Sequence, residues 1–156
     1  MQKISPCLWF DSQAEEAAKF YTSIFPNSKI KETAKYTTDT PSNKKIGSVM
    51  TITFELDGCE FMALNGGPFF KLSEAMSLII YCKDQKEINY FYEKLSAVPE
   101  SEMCGWLKDK FGVSWQLVTR DFDKVMKGKN SKKVMEALME MKRIDVNELQ
   151  RISDGK

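Results

Sequence analysis

Histidine is missing from this sequence of 156 residues, and its absence limits the chemistry that the chain can perform. Histidine is the commonest general base and the commonest transition-metal ligand in proteins. Serine–histidine–aspartate and cysteine–histidine machinery are therefore excluded. A zinc site would have to use cysteine and carboxylate ligands alone.

The four cysteines carry the next most reactive groups, and their spacing indicates neither a zinc site nor a redox pair. They lie at positions 7, 59, 82 and 104 and form no Cys-x-x-Cys motif. Three stand in apolar, strand-like segments, which predicts buried thiols in a reducing compartment. Cys7 and Cys104 could instead be reactive, but no histidine is present to lower the pKa of either thiol, so a structural role is favoured.

Composition and charge are those of an ordinary globular protein. Hydrophobic residues make up 42% of the chain, charged residues 29%, and the formal net charge is +1. This balance does not favour a nucleic-acid or membrane partner, and no apolar run reaches the ~18 residues of a membrane span. The chain starts without a signal-peptide pattern, so a cytoplasmic location is expected.

Three tryptophans stand in or beside predicted strands and could either fill the core or line a pocket for a flat ligand. They are Trp9, Trp106 and Trp115. Successive side chains of the strand predicted at residues 113–119 point to opposite faces, so Trp115 and Gln116 cannot both face a pocket. If Gln116 faces the pocket, Trp115 packs beneath the helices.

A glycine-rich segment, Asn65-Gly66-Gly67-Pro68, divides the chain near its middle. It could be a linker between two modules, or it could offer backbone N–H groups to a ligand. Phe69 and Phe70 follow directly. Two adjacent phenylalanines in a loop would be partly exposed unless they cover a pocket or a dimer surface.

Hydrophobic periodicity predicts two similar halves, each with a strand, a helix and further short strands. Residues 49–56 alternate strictly, which places Phe54 on the buried face, and Asp57-Gly58 is a hairpin signal. Ser12 with Glu15 has the capping-box spacing of a helix start. The remaining predicted strands are residues 4–10, 29–36, 59–64, 77–82, 105–110 and 113–119. The predicted helices are residues 13–25, a segment capped by Asp84 and Glu87, residues 131–142 and residues 146–152. Asp145 caps the last of these helices.

The chain contains a faint internal repeat: a shift of about 71 residues aligns Phe10 with Tyr81 and the Phe20-Tyr21 pair with Phe91-Tyr92. Coincidence is the alternative, because amphipathic helices commonly place aromatic residues at matching sites. Neither half has enough core to be stable alone. We therefore predict an α+β fold in one domain of residues 1–156, made of two βαβββ modules with cupped mixed sheets. The modules span residues 1–65 and 69–120, and a helical tail spans residues 121–156. An apolar stripe on the tail (Val134, Leu138 and Met141) must dock on its own domain or on a second copy.

Three motifs give the sequence a recognisable likeness. They are PCLWF at residues 6–10 with the helix that follows, FMALNGGP at residues 61–68, and CGWLKDKFGVSWQ at residues 104–116. The chain resembles the PhnB-like proteins, also labelled 3-demethylubiquinone-9 3-methyltransferase-like, of the glyoxalase or vicinal oxygen chelate superfamily. The resemblance implies paired βαβββ modules with cupped sheets, and a homodimer.

In metal-using relatives, as the resemblance implies, four ligands project into the cup, mostly histidine and glutamate. Their positions fall here near Cys7, near residues 63–65, near residues 75–77, and on Gln116. One thiol and amide oxygens make a poor site for a divalent ion, so no metal and no cofactor are expected. The methyltransferase label is doubted as well, because the first strand is not followed by the glycine-rich loop of the common S-adenosylmethionine fold.

Three functions remain open. The first is a protein that binds an unknown small molecule in the cup without a metal. The second is a metal-free or metal-recruiting enzyme, whose catalytic residues are unknown. The third is a dimeric interaction protein. The candidate pocket residues are Cys7, Trp9, Asn65, Phe69, Ser77, Trp106 and Gln116.

Overall fold

The computed structural model describes residues 3–42 and 44–156. The chain divides into two compact units, Met1–Leu72 and Ser73–Lys156. Each unit contains one mixed sheet and the helices that cover it. In the described part of the chain, every helix is too short or too polar to cross a membrane.

The described residues of the first unit form one helix and four strands. In chain order these are β1 (Cys7–Phe10), α1 (Ala14–Ile24), β2 (Lys29–Lys35), β3 (Val49–Leu56) and β4 (Cys59–Asn65). The strand order is β1-β4-β3-β2, with β1 parallel to β4 and the other neighbours antiparallel. The hairpin expected at Asp57-Gly58 is confirmed, since both residues have the positive φ that a tight β3–β4 turn requires.

The core of this unit lies between α1 and one face of the sheet. Phe54 is fully buried and stacks on both Tyr21 of α1 and Phe61 of β4. The facing predicted for β3 is therefore confirmed. The alternation of that strand leaves its other side chains, such as Thr51 and Thr53, on the face away from the core.

The start of α1 corrects one prediction. The N-cap is Gln13, and neither Ser12 nor Glu15 forms the expected capping box. The backbone N–H of Ala14 instead donates to Asn65 Oδ1 at 2.8 Å. Since Asn65 is 51 residues away in the sequence, this cap depends on the parallel pairing of β1 with β4, which places the end of β4 beside the helix start.

In the described residues, the second unit contains three strands and four α-helices, besides a short 3-10 helix at Pro99–Ser101. They are β5 (Ser77–Cys82), α2 (Gln85–Leu95), β6 (Trp106–Lys108), β7 (Ser114–Thr119), α3 (Phe122–Met126), α4 (Ser131–Glu140) and α5 (Val146–Ser153). The order is β5-β7-β6, with β5 parallel and β6 antiparallel to β7. Together the two sheets and the C-terminal helices confirm the predicted α+β class.

Helix caps and the tail follow the sequence closely in this unit. Asp84 and Asp145 accept the N–H groups of Glu87 and Glu148, as predicted. Val134 and Leu138 of the apolar stripe are buried. The tail also docks on α2 through Gln85, whose amide donates to the carbonyl of Ile144 and accepts from the N–H of Val146. The stripe thus packs within its own unit.

Candidate functional site

Each sheet has one face packed against a helix and a second face that carries several exposed side chains. In β1, Leu8 and Phe10 are buried toward α1, so Cys7 and Trp9 point to the other side. Their partners in β4 are Met62 and Leu64. We call this surface, made by Cys7, Trp9, Thr51, Thr53, Met62 and Leu64, the open face of the first sheet.

Trp9 is held on this face by the glycine-rich segment. Its indole Nε1 donates to the carbonyl of Gly67 at 2.8 Å, and the ring of Phe70 meets the indole edge-on at a centroid distance of 4.9 Å. A Cβ on Gly66 would lie 2.3 Å from Trp9 Cζ2. Glycine is therefore required at position 66 to give the indole room.

The backbone N–H groups of this segment are already used. Gly66 donates to the carbonyl of Phe10 and Gly67 to that of Asp11. The segment thus anchors β4 to the end of β1, and these two groups are not offered to a ligand. Phe69 and Phe70, which follow, remain 65% and 66% exposed.

The cysteines differ from the expectation of buried thiols. Cys82 is buried, Cys104 is intermediate, and Cys7 and Cys59 are exposed. Cys7 alternates away from the core-facing side of β1, whereas Cys59 is the first residue of β4, directly after the turn. Although Cys7 is exposed as a residue, the neighbouring side chains partly desolvate its thiol and raise its pKa. A raised pKa leaves less thiolate, which is the form that attacks electrophiles and binds metals.

Asn65 is separate from the open face. It is buried on the α1 side of the sheet, where its amide caps Ala14 and donates to the carbonyl of Val49 at 3.1 Å. Its own carbonyl accepts from the hydroxyl of Tyr36 at 2.6 Å. These contacts join α1, β3 and β4, so the Asn65 amide holds the first unit together.

The second sheet brings three of the candidate residues together. Gln116 Nε2 donates to Ser77 Oγ at 2.7 Å, and Trp106 is the cross-strand partner of Gln116. Trp115 lies on the opposite, buried face, where its indole donates to Asp109 at 2.8 Å. The predicted separation of Trp115 from Gln116 is thus observed. The open face of the second sheet consists of Ser77, Ile79, Tyr81, Trp106, Lys108, Ser114, Gln116 and Val118.

Two residues of this face, Ser114 and Lys108, were not among the candidate pocket residues. Ser114 is only 3% exposed, and its hydroxyl has no hydrogen-bond partner in the described chain. Its cross-strand neighbour Lys108 forms an ion pair with Glu74. The alternation predicted for residues 113–119 does place Ser114 on the face of Gln116, since it lies two residues before it, but that pattern does not show that its hydroxyl is buried and unpaired.

The donors on these faces do not fit the metal site of the metal-using relatives. Within residues 3–42 and 44–156, no three His, Cys, Asp or Glu side chains gather closely enough to hold an ion. At the position expected for a glutamate ligand, Gln116 offers only a neutral amide oxygen. Ser77, its hydrogen-bond partner, offers a neutral hydroxyl.

Comparison with known proteins gives the same fold. The family model described as 3-demethylubiquinone-9 3-methyltransferase matches residues 2–118. A solved PhnB protein from Bacillus cereus, titled with the same methyltransferase name, is 39% identical, with a TM-score of 0.62, over 76% of this chain and 99% of its own. Protein PA1353 from Pseudomonas aeruginosa is 17% identical, with a TM-score of 0.56, over 76% of this chain and 98% of its own.

A protein from Staphylococcus aureus is 34% identical over 76% of this chain and 97% of its own, with a TM-score of 0.35. The search of curated proteins gave no match. The family match ends at residue 118, before the three C-terminal helices α3, α4 and α5.

Proposed function

The chain belongs to the 3-demethylubiquinone-9 3-methyltransferase family of PhnB-like proteins, in the glyoxalase or vicinal oxygen chelate superfamily, and we propose that it binds a small molecule without a metal ion. The observation that carries the proposal is the open face of the second sheet. There the exposed side chains of Ile79 and Tyr81 lie beside the hydrogen-bonded pair Ser77–Gln116. Apolar surface with a few fixed polar groups is typical of small-molecule sites.

The proposal includes no metal ion because the side chains at the expected ligand positions are poor metal ligands. The resemblance places ligands of the metal-using relatives at Gln116 and near residues 75–77, and here Gln116 donates a hydrogen bond to Ser77. In the first unit, the pKa of the Cys7 thiol is raised, which disfavours the thiolate that a metal would need. Neutral donors of this kind favour a ligand held by hydrogen bonds and apolar contacts.

Methyl transfer is not part of the proposal, although the family description names it. The two sheets are small and mixed, whereas the common S-adenosylmethionine enzymes have one large parallel sheet with a glycine-rich loop after its first strand. Here β1 leads through Asp11, Ser12 and Gln13 directly into α1. The contacts of the open faces support binding, and the raised pKa of Cys7 gives no support to a nucleophilic enzyme.

A homodimer is the second part of the proposal. Phe69 and Phe70 are two large apolar side chains exposed side by side, and Trp9 holds one of them in place. An exposed apolar patch on a fixed support is typical of an interaction surface. We propose that a second copy of this chain covers these two rings. A cytoplasmic location also fits, since all four cysteines carry free thiols.

Native mass spectrometry of gently purified, untagged protein tests both parts. A dimer peak that carries an additional small mass, lost on mild denaturation, is the expected result. The matched control is a variant with Ile79→Ser and Tyr81→Ser, which keeps the fold but removes the apolar part of the open face and should lose the additional mass. Binding that persists unchanged in this variant would contradict the proposed face.

A further inference from the structure

We propose that the second sheet binds a small carboxylate with an apolar body. The ligand carboxylate pairs with Lys108, and Glu74 occupies that position when no ligand is bound. This inference rests on the proposed function and specifies the chemical class of the ligand. It is carried by three neighbouring features of the open face: a lysine paired with an exposed carboxylate, a buried hydroxyl without a partner, and an adjacent apolar row.

Lys108 is the positive group of this face. It stands opposite Ser114 in the antiparallel ladder of β6 and β7, and Ser77 stands beside Ser114 on β5. Directly opposed side chains in such a ladder have Cβ atoms about 5 Å apart. The ammonium, the two hydroxyls and the Gln116 amide on Ser77 therefore form one polar region on a single face.

The unpaired hydroxyl of Ser114 indicates that a polar group is missing from this region. Ser114 is almost fully buried, and its Oγ lacks a hydrogen-bond partner among the described residues. Buried hydroxyls are nearly always hydrogen-bonded, so an unpaired one indicates an absent acceptor or donor. A carboxylate paired with Lys108 would bring an acceptor oxygen to this hydroxyl.

The Lys108 ammonium already donates to a carboxylate, that of Glu74. The two side chains form an ion pair, and the Glu74 side chain is 59% exposed. Exposed ion pairs contribute little to stability, so a ligand carboxylate can replace Glu74 at small cost. Glu74 lies just before β5, in a segment that the structure assigns to neither helix nor strand.

The adjacent row gives the ligand its apolar body. One step along the strands, the apolar side chains of Ile79 and Trp106 flank Gln116, whose amide donates to Ser77. Ile79 is exposed and Trp106 is half-buried, so a ring or short chain could lie between them. Aromatic side chains bind flat apolar groups through their large surface. A carboxylate attached to an apolar ring would therefore match both the polar region around Lys108 and the apolar side chains of Ile79 and Trp106.

Titration with benzoate, followed by amide NMR, tests this assignment, with neutral benzamide as the matched probe. Benzoate should shift the signals of β5, β6, β7 and the Trp106 indole, and should bind about tenfold more tightly than benzamide, as expected for a charge-assisted contact. Lys108→Met should remove this preference and leave benzamide binding unchanged. Glu74→Gln should strengthen benzoate binding, because the internal competitor is lost.

Ser114→Ala separates the buried hydroxyl from the charge. It should weaken benzoate without lowering the thermal midpoint, since the hydroxyl has no partner to lose. Equal binding of the two probes, or unchanged benzoate affinity in Lys108→Met, overturns the carboxylate assignment while the proposed small-molecule function stands. If neither probe shifts this face at millimolar concentration, the assignment also fails, and the native mass spectrum alone then decides the proposed function.

Discussion

Gln116 Nε2 donates a hydrogen bond of 2.7 Å to Ser77 Oγ, across the parallel strands β7 and β5. The resemblance to metal-using relatives places a ligand at or beside each of these two positions. In this chain the pair satisfies itself, and its atoms are neutral. The two side chains therefore form a fixed polar contact between neutral groups, on the same face as Lys108 and Ser114.

Elemental analysis of purified, untagged protein should find no stoichiometric Zn, Ni, Mn or Fe. The reason is that Gln116 and Ser77 offer neutral oxygens, which bind such ions weakly. Gln116→Ala is the control, since it removes the most plausible ligand. A near-stoichiometric metal that disappears in this variant would show that the site recruits an ion after all.

Phe54→Ala should lower the free energy of unfolding by about 3–5 kcal/mol, because the ring is fully buried and stacks on Tyr21 and Phe61. Urea denaturation gives the value. Ile46→Ala, at an exposed position, is the control and should change stability by less than about 0.5 kcal/mol. A loss under about 1 kcal/mol for Phe54→Ala would contradict the packing described for this core.

Gly66→Ala should destabilise the first unit by about 1–3 kcal/mol, because the new Cβ would collide with the Trp9 indole. Chemical denaturation measures the loss. The same substitution should cost much less in a Trp9→Ala background, since the indole is then absent. If the two losses are equal, the close approach of Gly66 and Trp9 is not what fixes glycine at this position.

Light scattering at micromolar concentration should give twice the monomer mass of 17.9 kDa. Exchange of both exposed rings, in Phe69→Ser/Phe70→Ser, should shift the equilibrium toward the monomer, because the apolar patch is lost. A monomer in the unchanged protein would refute the dimer. A dimer that persists in the double variant would move the interface elsewhere.

Local sequence signals determined much of this fold. The strict alternation of residues 49–56 placed Phe54 in the core, because a strand turns successive side chains to opposite faces. Asp57-Gly58 specified a tight turn, since both residues tolerate positive φ. Asp84 and Asp145 identified two helix starts, because an aspartate cap acts within one turn of its own helix.

The tertiary structure decided the relationships between distant residues. The sequence predicts Asn65 in a linker or a pocket. In the structure it caps α1, 51 residues away in the sequence, because β1 and β4 pair in parallel. The sequence predicts Gly66 in a flexible linker, but the Trp9 indole packs directly against it. The Lys108–Glu74 pair and the unpartnered Ser114 hydroxyl depend on which strands become neighbours, and strand order is set by the packing of the whole unit.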